Sequence, residues 1–421
     1  MLSQERKMSH KLVKDFSMLD PVVSSDPFDF YDLLQKQCPV YQIPETGTYV
    51  ITKYDDLRQV LIDYESFTSD VRVADRGPFV ELQQSIFRDG GGWEHVQTLQ
   101  RTDPPDHSRY RRLVDRVFTN KRVREMIPYM DQVANDLIDG FIDKGECEFS
   151  DDFAMRMPGI IVAEQLGLKR EEVSTFKRWA DAMLGASRSP IATEDEICAD
   201  ATTELEAQKF LAAIFEDRRS RPQQDLISAI VNAYGGDEEP LTMSELQNLV
   251  RQLITGGFET TQSALNHGMW ALIRMPEVAA KLRSDISLLK PFVEEVLRWE
   301  SPVQFLMRQA TRDVKISGTV IPAGALVMVG YGPANRDEEK FGCPHQFDLE
   351  RKGVGAHLAF GSGPHFCPGA LLARQEMMIS FRHIIERMAN VRLSKPLPQP
   401  VHNFSMFFLP MHDFHIEFDK R

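Results

Sequence analysis

Apolar and polar residues alternate with helical spacing over most of the chain. Between Tyr54 and Tyr64, Leu57, Val60 and Leu61 recur three and four residues apart, on one face of an amphipathic helix. The stretches 122–143, 151–167, 171–185, 194–220, 224–233 and 370–387 read the same way. Pro104-Pro105 predicts another helix start, running to Phe118, because a proline in a first turn gives up an N–H that has no helical partner. Strand-like alternation is confined to short pieces at 48–52, 314–316, 320–321, 326–329 and 414–418. The pattern is that of a mainly α protein with small β-sheets.

One predicted helix is far longer than the rest. Thr242 and Glu245 have capping-box spacing, and no proline interrupts the sequence from there until Pro276. About 33 residues at 1.5 Å each span roughly 50 Å, the width of a globular domain. Its centre reads Gly256-Gly257-Phe258-Glu259-Thr260-Thr261. Each glycine costs about 1 kcal/mol of helix propensity, so something must compensate. One reading is close helix packing beside a solvated acid. The other is a helix wall thinned to admit a flat ligand, with an acid and hydroxyls placed to handle protons.

Charge and composition narrow the function. The 421 residues include 49 Lys and Arg against 62 Asp and Glu, a net charge of −13, which disfavours nucleic-acid or anionic-membrane binding. The first residues lack the apolar core of a signal peptide, and no apolar run reaches the roughly 18 residues of a membrane span. Without repeats or linker-like tracts, residues 27–421 are expected to form a single domain after an irregular tail at 1–26. The five cysteines (Cys38, Cys147, Cys198, Cys343 and Cys367) contain no C-x-x-C pair. That argues against a zinc ribbon or a disulfide framework and for a reducing cytoplasm.

Cys367 has distinctive surroundings: Phe360-Gly361-Ser362-Gly363-Pro364-His365-Phe366-Cys367-Pro368-Gly369, a glycine- and proline-rich loop running into the 370–387 helix. A cysteine before a helix N-terminus is in a position that favours thiolate. Pro368 has no N–H, so hydrogen bonds to the sulfur must come from residues beyond it. The string Phe360, Gly363, Cys367, Gly369 resembles the haem-binding loop of the cytochrome P-450 family. The resemblance implies that Cys367 is the proximal thiolate ligand of haem iron, that Phe360 packs near it, and that Gly361 and Gly369 shape the cofactor site.

Other motifs fall in the order expected of that family. Glu295 and Arg298 resemble its Glu-x-x-Arg pair, and Arg351 suits the later arginine that completes a structural lock. Glu259-Thr260 resembles the acid–alcohol pair of the distal helix: Thr260 would hydrogen-bond bound dioxygen and Glu259 would relay protons, with Gly256 and Gly257 bordering the cofactor. His107, Arg111, Arg308 and His365 match partners of the haem propionates. The implied fold sandwiches haem b between a long distal helix and a proximal cysteine-loop helix. The implied activity is a monooxygenase that uses dioxygen and hydroxylates, O-demethylates or epoxidises a small organic molecule. Electrons would come from a separate ferredoxin and an NAD(P)H-dependent ferredoxin reductase, and the protein would be a monomer. The basic residues Arg109, Arg112, Arg116, Lys121 and Arg122 are expected to form a docking face for that partner.

By the same resemblance Leu253, Val303, Phe305, Phe404 and Met406 would line a mainly apolar substrate pocket. Trp93 would lie in a mobile roof, and Arg72, Arg76 or Arg88 would either anchor a substrate carboxylate or face solvent. Two alternatives stay open: a peroxide-driven oxygenase of the same fold, and a non-catalytic haem sensor or carrier. The Glu259-Thr260 pair argues against both.

Overall fold

Residues 305–310 show no clean alternation because they form a strand with neighbours on both sides. In a computed structural model, which describes residues 12–13, 16–18, 20–71, 78–168, 170–188, 192–233, 239–397, 401–402 and 405–421, Phe305–Ala310 pairs antiparallel with Leu326–Gly330 and with Phe67–Thr68. Tyr49–Ile51 joins parallel to Leu326–Gly330, and Val40–Gln42 closes the five-stranded sheet. This sheet belongs to the first of two compact units, made of Met1–Thr68, Glu294–Phe366 and Leu397–His412. One apolar cluster gathers Leu57, Val60 and Leu61 of the Tyr54–Ile62 helix with Phe67, Val327, Val329 and Phe341. A second gathers Phe30, Tyr31 and Leu34 of the Phe28–Gln37 helix with Val50, Phe305 and Met328. A short helix, Pro21–Ser25, lies inside the stretch expected to be irregular, its start capped by the Asp20 side chain.

The second unit comprises Ser69–Val293, Cys367–Pro396 and Asp413–Arg421 and is mainly helical. Glu194–Ser220 and Ala370–Arg387 have the bounds read from the sequence. The expected 151–167 helix divides into a π-helical turn, Ser150–Ala154, and the helix Arg156–Gln165. Ser150 has a specific duty there: its buried hydroxyl accepts from Gln262 at 3.2 Å and from Asn266 at 3.0 Å. Those amides lie inside the long helix, where an unpaired polar group would cost about 1–3 kcal/mol. That helix is Met243–Arg274, opened by the Thr242–Glu245 capping box. It packs closely on Ala370–Arg387, where a Cβ on Gly268 would stand 2.1 Å from the Phe381 ring. A three-stranded sheet of Glu146–Glu148, His415–Lys420 and Met388–Leu393 completes this unit. Among the described residues no helix is long and apolar enough to cross a membrane.

Candidate active site

The two glycines of the long helix have different jobs. A Cβ on Gly257 would meet Val162 at 3.3 Å, so Gly257 serves packing against Arg156–Gln165. Gly256, next to it, is exposed, and a Cβ there would have nothing within 4 Å. The helix therefore borders open space at Gly256 although its neighbours Phe258 and Glu259 are buried. Thr260 Oγ1 donates to the Gly256 carbonyl oxygen at 2.7 Å, which places the hydroxyl on the same side one turn on. Phe258 is a core residue, edge-on to Phe176. Glu245 does more than cap: it also accepts from Arg109 at 2.6 Å and from Tyr110 at 2.8 Å, tying the Asp106–Val117 helix to the start of the long helix.

Cys367 stands just before Ala370–Arg387. Its sulfur accepts from the backbone N–H groups of Gly369 and Ala370, the residues beyond Pro368, and Arg111 and Arg374 lie near enough to favour its charge. Burial outweighs these influences and pushes the thiol above its ordinary value. Position before the helix favours the charged sulfur and burial opposes it, so a cation bound there would stabilise the thiolate. His107 is buried on the same helix as Arg111, whose Nε donates to Asp115 at 2.8 Å.

In the first unit the predicted lock is assembled. Arg298 donates to Glu295 from Nε at 2.7 Å and from Nη2 at 2.8 Å, and Arg351 Nε donates to the same carboxylate at 3.0 Å. Arg298 also donates to the carbonyls of Asn335 at 3.0 Å and Pro344 at 2.9 Å. Two supports went unnoticed in the sequence. Asn335 is fully buried, donates to Ser301 and accepts from the Leu358 N–H at 2.6 Å. His357 pairs with buried Glu294 at 2.9 Å, and its ring lies 5.9 Å from that of Phe360. Their partners lie 23 to 63 residues away, beyond any local motif. Arg308 is buried and donates to its neighbour's carbonyl, and His365 closes the turn Gly363–His365.

The other expected residues have these surroundings. Of the expected docking residues, Arg112, Arg116 and Lys121 are exposed, while Arg109 donates to Glu245 and Arg122 to Gln165. Phe305 is buried beside Tyr31, half-buried Met406 packs against the same cluster, and both line a small cavity with Tyr31 and Gln304. Val303 packs against the other cluster of that unit. Leu253 is half-buried on the long helix, while Phe404, Arg72 and Arg76 lie outside the described residues. Arg88 pairs with Glu81 and Glu94 at the surface. Trp93 N–H and carbonyl both bond Gln208, at 2.8 and 3.0 Å.

Comparison with known proteins decides the family. The profile described as Cytochrome P-450 matches residues 199–418. The monooxygenase PikC of Streptomyces venezuelae is 33% identical over 90% of this chain and 88% of its own. The chain is a cytochrome P-450. The 6-deoxyerythronolide B hydroxylase of Saccharopolyspora erythraea is 32% identical, covering 89% of this chain and 92% of the relative. The structure of CYP109E1 from Bacillus megaterium in complex with testosterone superposes with a TM-score of 0.81 at 27% identity, over 94% of this chain and 98% of that one. This cytochrome P-450 is thus a monooxygenase whose cofactor is haem b and whose co-substrate is dioxygen. Its own residues fit the group. The helix wall at Gly256 leaves space that any side chain would occupy, and the Cys367 sulfur carries two N–H donors and two nearby guanidinium groups suited to a thiolate.

Proposed function

We propose that this cytochrome P-450 inserts one oxygen atom from dioxygen into a mainly apolar small molecule, using two electrons delivered by a separate ferredoxin and its NAD(P)H-dependent reductase. The observation that carries this reading is the open space at Gly256, bordered by Thr260, in a helix packed on the one that follows Cys367. Haem, when bound, supplies an iron centre able to activate dioxygen. Cys367 is the proposed ligand, with Gly369 and Ala370 holding its sulfur through N–H donors. Thr260 holds a hydroxyl proton at the opening, and buried Glu259, its neighbour in sequence, is the group that replenishes it. His107, Arg111, Arg308 and His365 are the proposed donors to the propionates; Arg111 must then share itself with Asp115. Glu295, Arg298 and Arg351 hold the segment before the cysteine loop. A relative named for 6-deoxyerythronolide B and a structural neighbour holding testosterone support a substrate that is bulky and largely apolar. The Glu259-Thr260 pair favours dioxygen over peroxide as oxidant.

Two measurements test this. The reduced, carbon monoxide-bound spectrum of the haem-loaded protein is expected to show the red-shifted band of thiolate ligation, and Cys367→His is expected to abolish it. A folded, haem-loaded wild type without that band would overturn the assignment of Cys367. Thr260→Ala is expected to lower product formed per NADH consumed by tenfold or more while NADH consumption continues. Full coupling in that variant would remove the proton role.

A further inference from the structure

The chain between the lock and the cysteine loop is held by side chains rather than by regular structure. After the turn Val354–Ala356, the Tyr54 hydroxyl donates to the Ala356 carbonyl at 2.7 Å, and Asn335 Oδ1 accepts from the Leu358 N–H at 2.6 Å. The Gly361 N–H returns to the Leu358 carbonyl at 2.8 Å. Between these, His357 spans two partners. Its Nδ1 accepts from the Ala359 N–H at 3.2 Å, and its Nε2 lies 2.9 Å from Glu294 Oε2. A backbone N–H can only donate, so Nδ1 presents a lone pair, and the ring N–H stands at Nε2 and is donated to the carboxylate. The His357 and Glu294 side chains are 1% and 8% exposed, so neither bond can be handed over to bulk water.

The two bonds do different work. Glu294 precedes Glu295 on the Leu289–Trp299 helix, and its bond to Nε2 joins that helix to the segment before the cysteine. The bond at Nδ1 joins a side chain to the N–H two residues on, the connection by which asparagine fixes an Asx-turn. It sets the course of the chain through Leu358 and Ala359, immediately before Phe360. The Phe360 ring lies 5.9 Å from the His357 ring and 6.5 Å from that of Phe366, the residue that precedes Cys367.

We infer that His357 is a positioning residue with two separable duties: Nε2 stabilises the fold through Glu294, and Nδ1, through the Ala359 N–H, aims Phe360 and thereby tunes electron donation by the Cys367 sulfur. This inference rests on the reading of Cys367 as the iron ligand. On that reading an apolar ring held in place keeps water off the sulfur. Water that reaches a thiolate weakens its donation and favours the reduced, more negatively charged centre. Loosening the Nδ1 bond therefore raises the ferrous-to-ferric ratio, whereas loosening the Nε2 bond alone lowers only stability.

The test separates the duties on the full-length, haem-loaded protein. His357→Asn keeps an oxygen in the place of Nδ1 but is too short for Glu294. His357→Gln reaches Glu294 with an amide N–H but leaves the Ala359 N–H without its acceptor. His357→Leu does neither. Hydrogen exchange read by mass spectrometry with electron-transfer fragmentation is expected to be slow at the Ala359 amide in the wild type and His357→Asn, and about tenfold faster in the other two. The ferrous-to-ferric ratio, read by absorbance at a fixed redox-dye poise, is expected to stay within about twofold of wild type in His357→Asn and to rise about threefold or more in His357→Gln and His357→Leu. Urea midpoints are expected to divide the variants the other way: near wild type in His357→Gln, lowered in His357→Asn and His357→Leu. A ratio that follows the urea midpoint across the three variants would overturn the positioning role. An unchanged ratio in His357→Gln despite faster Ala359 exchange would overturn the link to the sulfur, and unchanged exchange there would overturn the duty of Nδ1. A folded, haem-loaded wild type without the thiolate band in its carbon monoxide spectrum would instead overturn the Cys367 reading, and this inference with it. Should His357→Leu or His357→Asn fail to fold, the comparison of wild type with His357→Gln still decides, because that variant keeps the stabilising bond.

Discussion

Replacing Glu295 by glutamine changes one atom and should cost this protein a large share of its stability. The carboxylate accepts from Arg298 Nε and Nη2, from Arg351 Nε and from the Asp348 N–H, all between 2.7 and 3.0 Å. Glu295 and Arg298 are wholly buried, and the Arg351 side chain is 7% exposed. Glutamine removes the only charge that both guanidinium groups share and turns an amide N–H₂ toward one of them. Two cations then face each other with only carbonyl oxygens in support. Removing one member of a buried pair costs about 3–5 kcal/mol, against a typical total of about 5–15. The loss is expected in the first unit, where Trp299 is a built-in reporter whose indole N–H donates to the His345 carbonyl at 3.0 Å. Urea titration followed by its fluorescence, with the other three tryptophans replaced by phenylalanine in both proteins, is expected to show a marked fall in midpoint. Arg392→Ala, which breaks an exposed pair with Glu417, is expected to leave the midpoint unmoved. A Glu295→Gln shift worth less than about 1 kcal/mol would refute the argument that the shared charge holds this region together.

Three further outcomes follow from single side chains. Gly256→Ala is expected to raise stability by roughly 0.5–1 kcal/mol through helix propensity while weakening 4-phenylimidazole binding several-fold; unchanged azole affinity would show that the space beside it is not used. Gly268→Ala is expected to do the reverse, costing about 1–3 kcal/mol as the new Cβ displaces the Phe381 ring, and a thermal melt indistinguishable from wild type would contradict the packing. Glu376 is fully buried, and desolvation pushes its pKa up to about 8 from 4.5. The folded group therefore keeps a proton that the unfolded one loses, so stability should fall as pH rises through that window, by on the order of a few kcal/mol, and level off above it. Urea midpoints at several pH values should flatten in Glu376→Gln, and parallel wild-type and variant curves would count against it.

What could be read from the chain was whatever is specified locally. The Glu194–Ser220, Met243–Arg274 and Ala370–Arg387 helices announce themselves through periodicity and caps, because both are set by residues a few positions apart. The helix Pro78–Asp89 does not, since it is stabilised by Phe87 packing on Ala201 and Leu205, more than a hundred residues away. The strand Phe305–Ala310 hides for a related reason: with partners on both edges, it places Arg308 among buried positions and breaks the alternation. A count of basic residues on a helix also does not reveal that Glu245 and Gln165 accept from Arg109 and Arg122, because those partners lie far along the chain.

The glycines make the limit sharpest. Gly256 and Gly257 are adjacent, identical in chemistry and equally costly to a helix, so no pattern rule separates them. One faces Val162 and the other faces empty space, and the difference comes from the Arg156–Gln165 helix, which covers one side of the long helix and leaves the next position bare. A helix turns about 100° per residue, so two successive glycines necessarily look in different directions. The pair therefore permits close packing on one side and an opening on the other at the same level of the helix. The close packing that the sequence allowed is found at Gly257, beside a Glu259 that is buried rather than solvated, and the opening at Gly256 is the proposed place for the flat ligand.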